Sequence, residues 1–206
     1  MEPLSLLATA LAFFIVAVSP GPANISNAAI AMSRGRKTSL VYGAGLSTGL
    51  VFWGLIAASG MGAVLQSSLY LLMLLKILGG LYLLWLAYSS VRASLASEAN
   101  QVVVPSDQRW FLRGLILNMS NPKSVIAWMA ALSVGLDAND DFLAVAAATS
   151  VCILVGFANN ALYSWLFSMG GMMRGYQRCR KWVDRIVASL FTLAGIGLIR
   201  SAFNSN

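Results

Sequence analysis

The chain has 206 residues, 58% of them apolar and only 10% charged, far more hydrophobic than an ordinary soluble domain. Little sequence is left for a separate soluble domain, so the composition points to an integral membrane helix bundle. Histidine is absent and only two cysteines occur, which counts against a transition-metal centre, and no other cofactor motif is present.

In chain order, six nearly uncharged runs stand out: Leu4–Met32, Leu40–Leu65, Ser68–Val91, Trp110–Gly135, Phe142–Ser168 and Trp182–Phe203. Each exceeds the ~20 residues that carry a helix across the hydrocarbon core. The first reads as a span rather than a signal peptide, because its leading residues hold Glu2 and no basic residue. It is interrupted by Ser19-Pro20-Gly21-Pro22-Ala23-Asn24. Ser19 suits an N-cap there and Pro20 a first helical position.

Span two carries Gly45-Leu46-Ser47-Thr48-Gly49, a small-xxx-small pattern that reads as helix packing, as do Gly79-Gly80 and Gly195/Gly197. Lys76, eight residues into span three, is placed to snorkel outward. The polar segment 94–108 then joins two three-span halves, residues 1–93 and 109–206, of one transmembrane domain.

Span four is broken by Asn118-Met119-Ser120-Asn121-Pro122-Lys123, with Asn121 and Pro122 suited to the same N-cap and first-turn roles. Lys123 lies about 13 residues from either end of its span, or roughly 20 Å along a helix. A lysine there cannot reach an interface, and its insertion costs about 2.5–3.5 kcal/mol. It must therefore face a polar cavity or a partner. Span five places Thr149, Cys152, Gly156, Asn159, Asn160 and Tyr163 along one helical face. Asn159 and Asn160 must find partners, either across helices or on a cavity. The tryptophans fall mostly near span ends or on lipid-facing positions, and Trp110 and Trp182 suit interfacial anchoring.

The net charge of +7 is a topology signal, not a nucleic-acid surface. Arg34, Arg36 and Lys37 sit between spans one and two, Arg92 and Arg109 between three and four, and Arg174, Arg178, Arg180 and Lys181 between five and six. The opposite side has only Asp137, Asp140 and Asp141 between spans four and five. Lysine and arginine mark the cytoplasmic side, so both termini are expected outside, with lipid headgroups as partners of the basic loops.

Three spans per half make the second copy enter from the opposite face. The expected fold is thus an all-α integral membrane protein of six transmembrane helices, two inverted three-helix repeats, with helices 1 and 4 broken at their proline motifs. Matched breaks in two halves are the sequence pointer to a transported substrate's site. Freed N–H groups can hold a carboxylate and freed carbonyls an ammonium group, a pairing that suits an amino-acid zwitterion. The candidate substrate-binding residues are Ser19, Pro20, Gly21, Pro22 and Asn24 at the first break, Asn118, Asn121, Pro122 and Lys123 at the second, and Asn159 and Asn160 on span five. No Ser/His/Asp set and no phosphate-cradling Gly-Lys motif is present, so the residues do not describe an enzyme.

The Pro-Gly-Pro break followed by Arg34-Gly35-Arg36-Lys37 resembles the LysE/RhtB family of amino-acid exporters. So do Leu78-Gly79-Gly80-Leu81-Tyr82-Leu83-Leu84-Trp85 and Arg113-Gly114-Leu115-Ile116-Leu117-Asn118 running into Asn121-Pro122-Lys123. The resemblance covers nearly the whole chain. It implies efflux of amino acids or their derivatives across a bacterial inner membrane, in exchange for protons and by alternating access. The lack of a deep acidic residue favours a neutral amino acid. Lys123 and Asp184 are the groups placed to take part in coupling. Export of another small solute or cation, or a non-transporting scaffold, are the alternatives, and homo-oligomerisation is compatible with all of these.

Overall fold

A computed structural model describes residues 3–67, 69–95, 109–136 and 140–203, so most of the inter-repeat connection and Asp137 lie outside the described residues. The described residues form eight helices: α1 Pro3–Val18, α2 Pro22–Arg34, α3 Arg36–Ser67, α4 Leu69–Leu95, α5 Trp110–Met119, α6 Pro122–Gly135, α7 Phe142–Phe167 and α8 Met172–Phe203. Among the described residues, three helices are long and apolar enough to cross a membrane, and a fourth span arises if α1 and α2 count as one. These two are bent by 59° across the first proline break, as two prolines without N–H groups demand. The second break separates α5 from α6.

Two basic segments expected as loops are built differently. The turn between α2 and α3 is Gly35 alone, at φ +84°, with its N–H on Ala31 O and its carbonyl accepting from Ser39. Only glycine adopts that conformation readily, which allows so tight a corner. Arg174, Arg178, Arg180 and Lys181 do not form a loop but lie in the first turns of α8, because nothing between Met172 and Phe203 breaks a helix. The basic residues nevertheless gather at one end of the bundle. Arg34 lies over Trp110, Arg36 over Trp165, and Arg36 Nε donates to Ser168 Oγ at 3.0 Å. Asp141 marks the other end, where its carboxylate caps α7 by accepting from Ala144 N at 2.9 Å.

Glycines set the closest helix contacts. A Cβ on Gly45 would lie 2.0 Å from Phe111 O, and one on Gly114 2.1 Å from Tyr42 O, so α3 and α5 touch backbone to backbone. Gly80 and Gly195 likewise let α4 and α8 meet, each with the other's carbonyl 2.9 Å from its missing Cβ. Gly197 departs from the packing expectation: it meets nothing within 4 Å and lines an apolar groove beside α1.

Outward faces are apolar in register. On α1, Leu4, Leu7, Leu11 and Phe14 are all exposed at helical spacing, and Leu154, Phe157, Leu162 and Trp165 continue the pattern on α7. Two expectations fail here. Trp128 is not lipid-facing: it is wholly buried, 4.7 Å from the Phe13 ring, with Nε1 donating to Leu50 O at 3.0 Å. Trp53 packs partly buried against the same cluster. Lys76 does not snorkel: it is only 2% exposed, and Nζ donates to Ser201 Oγ at 3.3 Å. The glycine-mediated approach of α8 to α4 covers the lysine before its stem can leave the bundle.

Helix contacts map onto one another when α1–α4 are laid on α5–α8. The α3–α5 contact has its counterpart in α7–α1, and α2–α7 in α6–α3; α4–α8 and α3–α7 map onto themselves. The counterparts of α4–α6 and of α1–α8 are at most weak.

Candidate functional site

The first break exposes the last carbonyls of α1, and polar side chains take those of Val16, Ala17, Val18 and the following Ser19. Ser19 Oγ donates to Val16 O at 2.7 Å. Asn24 Nδ2 donates to Ala17 O at 2.6 Å and Ser19 O at 2.9 Å. Tyr163 OH donates to Val18 O at 2.9 Å. Lys123 Nζ reaches across from α6 to Ser19 O at 3.2 Å and to Ser19 Oγ. An unpaired buried carbonyl is costly, so these donors make the break tolerable in an apolar setting.

Ser19 and Pro20 therefore do not start the second half-helix. Gly21 is the N-cap, in an extended conformation with no side-chain cap, and Pro22 is the first helical residue. The reason is that Ser19's hydroxyl is drawn back to Val16 and held by Lys123, while a second proline resets the start two residues on. The first intrahelical bond is Ile25 N to Gly21 O at 2.9 Å, which leaves the N–H groups of Ala23 and Asn24 outside the helical ladder.

At the second break Asn121 and Pro122 hold the expected positions. Asn121 Oδ1 accepts from Lys123 N at 3.1 Å, and Ser124 N bonds Asn121 O at 3.0 Å. The two breaks are thus unequal: the N-terminus of α6 is capped by its own asparagine and that of α2 is not.

Between the breaks lies a cavity of about 530 Å³ of non-atom space, counting its mouth. Seven of the sequence candidates line it: Gly21, Asn24, Asn118, Asn121, Lys123, Asn159 and Asn160. Ser19 is buried behind it against Lys123, whereas Pro20 and Pro22 shape the first break without lining it, and Pro122 is the first residue of α6. Lys123 is the one charged lining residue among the described residues. Gly21 leaves room for it, since a Cβ there would sit 3.1 Å from Nζ. Phe13, Val16 and Leu50 supply apolar wall.

The cavity is closed differently at its two ends. Away from the basic end lies the cluster of Phe13, Trp128, Leu132, Val145 and Cys152. Toward the basic end lies a polar network that sequence reasoning missed. Asn27, fully buried, donates from Nδ2 to Asn160 O at 2.9 Å, and its Oδ1 accepts from Ser39 Oγ at 2.7 Å. Ser164 Oγ lies 2.9 Å from Ser39 Oγ, and Asn160 Nδ2 donates to Ser47 Oγ at 2.9 Å. The available signal was Asn24 and Asn27 one turn apart on the same short helix. No cluster of metal-ligating side chains occurs among the described residues.

A lysine beside an uncapped helix start, in a cavity between two broken helices, has the makings of a membrane carrier's substrate site. Residues 14–202 match the LysE type translocator family, and the chain belongs to it: a multi-pass membrane translocator of that family, not an enzyme. It is 32% identical to the threonine efflux protein of Escherichia coli (strain K12) over 95% of this chain and 97% of that protein. The Salmonella typhi threonine efflux protein is 30% identical over 93% and 96%. The homoserine/homoserine lactone efflux protein of Salmonella typhimurium is 31% identical over 57% of each. No solved structure matches the chain.

Proposed function

We propose that the chain exports neutral, hydroxylated amino acids of the threonine and homoserine kind across the bacterial inner membrane, in exchange for protons. The observation that carries this reading is the cavity. It joins an ammonium group, Lys123 Nζ, to the uncapped N-terminus of α2, two features that attract one carboxylate. Among the described residues, no carboxylate lines it to pair with a cationic side chain. The names of the relatives give the substrate class.

The reading takes α1–α2, α3, α4, α5–α6, α7 and α8 as six spans in two inverted repeats, residues 1–93 and 109–206, with both termini outside. Support comes from the self-mapping contacts, from the lengths of α4 and of α5 with α6, and from the single basic end. In that orientation the Phe13–Trp128 cluster seals the outer side and the Asn27–Ser39–Ser164 network the inner side. Water competes readily for the polar seal and poorly for the apolar one. Alternating access then consists of parting one seal while the other stays closed.

The test is counterflow of labelled threonine and homoserine into proteoliposomes of the purified protein, with and without an imposed pH gradient. Saturable uptake that responds to the gradient is expected. Absence of flux for every amino acid tried overturns the reading.

A further inference from the structure

The carbonyls of Val16, Ala17, Val18 and Ser19 at the first break are engaged by protein donors. A zwitterion whose carboxylate sits at Lys123 must therefore place its ammonium group elsewhere. Two side-chain oxygens on residues that line the same cavity have no donor. Asn118 is 4% exposed and Asn159 5% exposed, both line the cavity, and the Oδ1 of each is buried without a hydrogen-bond partner. Buried carbonyl oxygens are seldom left so.

The orientation of Asn159 follows from its neighbours. Its amide nitrogen faces Ala17 O and Asn24 Oδ1, both at 3.3 Å and both acceptors, so the nitrogen must point there and the oxygen away. Asn24 in turn donates to Ala17 O and Ser19 O. The result is a chain of aligned amide dipoles that starts on the broken backbone and ends on the buried, unpaired oxygen of a residue lining the cavity, each bond polarising the next. Asn118 belongs to the last turn of α5, the negative end of that helix dipole.

We propose that Asn118 Oδ1 and Asn159 Oδ1 form the α-ammonium subsite, so that the site takes free α-amino acids and rejects deaminated or N-acylated analogues. This rests on the carrier reading above and adds the residues that recognise the amine. Hydrogen bonds to a charged group are worth about tenfold or more in affinity each.

The experiment measures ligand-induced thermal stabilisation and counterflow competition on purified protein. Its ligands are L-threonine, N-acetyl-L-threonine and 2,3-dihydroxybutanoate, in which a hydroxyl replaces the amine. The unmodified protein is expected to prefer threonine over both analogues by about tenfold or more. Asn118→Leu should raise the half-saturating threonine concentration by about tenfold and that for 2,3-dihydroxybutanoate, whose hydroxyl donates only a neutral hydrogen bond, by less, narrowing the preference. Should Asn118→Leu not fold, Asn118→Asp, which keeps an acceptor and repels the analogue's lone carboxylate, should widen the preference; an unchanged or narrowed one overturns the subsite. A folded Asn118→Leu protein that keeps the full preference overturns it too. Unmodified protein that binds threonine and the deaminated analogue alike sinks the subsite alone, whereas protein that binds no amino acid sinks the carrier reading.

Discussion

Replacing Lys123 by methionine separates its two roles, because the structure gives it both a backbone partner and a place in the cavity. Methionine keeps most of the stem volume and removes the ammonium. The carbonyl of Ser19 keeps Asn24 Nδ2 at 2.9 Å, and the Ser19 hydroxyl keeps Val16 O at 2.7 Å. The break therefore stays satisfied, and folding stability should change by no more than about 1 kcal/mol. Substrate binding should suffer more. A hydrogen bond between an ammonium and a carboxylate is worth about 1.5–3 kcal/mol, which is roughly a 10- to 150-fold rise in half-saturating threonine. Threoninamide, whose carboxylate is replaced by a neutral amide, should compete no worse against Lys123→Met than against the unmodified protein. Counterflow with both competitors measures this directly. Unchanged half-saturation in Lys123→Met would refute the carboxylate role, and equal weakening toward threonine and threoninamide would reduce the lysine to a strut.

Two further outcomes follow from packing and exposure. Gly45→Ala places a methyl group 2.0 Å from the Phe111 carbonyl, so overpacking should cost about 1–3 kcal/mol. A lower melting temperature in detergent should accompany it, while Gly60→Ala, with nothing within 4 Å of its Cβ, should melt like the parent. Cys179 is exposed and Cys152 buried, and both are free. A membrane-impermeant maleimide should therefore add one label per chain in inside-out vesicles and none in intact cells; labelling of intact cells would reverse the proposed orientation.

The sequence by itself determined the class of protein, because span length and charge distribution are properties of the chain measured against a bilayer. It also located both helix breaks, since proline lacks the N–H whatever surrounds it. The capping of α6 by Asn121 was legible for the same local reason. What tertiary structure decided is how the freed backbone groups are shared out. The capping expected of Ser19 gave way because Lys123, distant in sequence, holds its hydroxyl side. The exposure expected of Trp128 and Lys76 gave way because Phe13 and α8 cover them. Nor does local pattern reveal that Asn27, Ser39 and Ser164 meet across three helices, or that Asn118 and Asn159 keep an oxygen without a donor. Whether a polar group is spent on the fold or left over for a ligand depends on neighbours far away along the chain, and only their packing in space brings them within hydrogen-bonding reach.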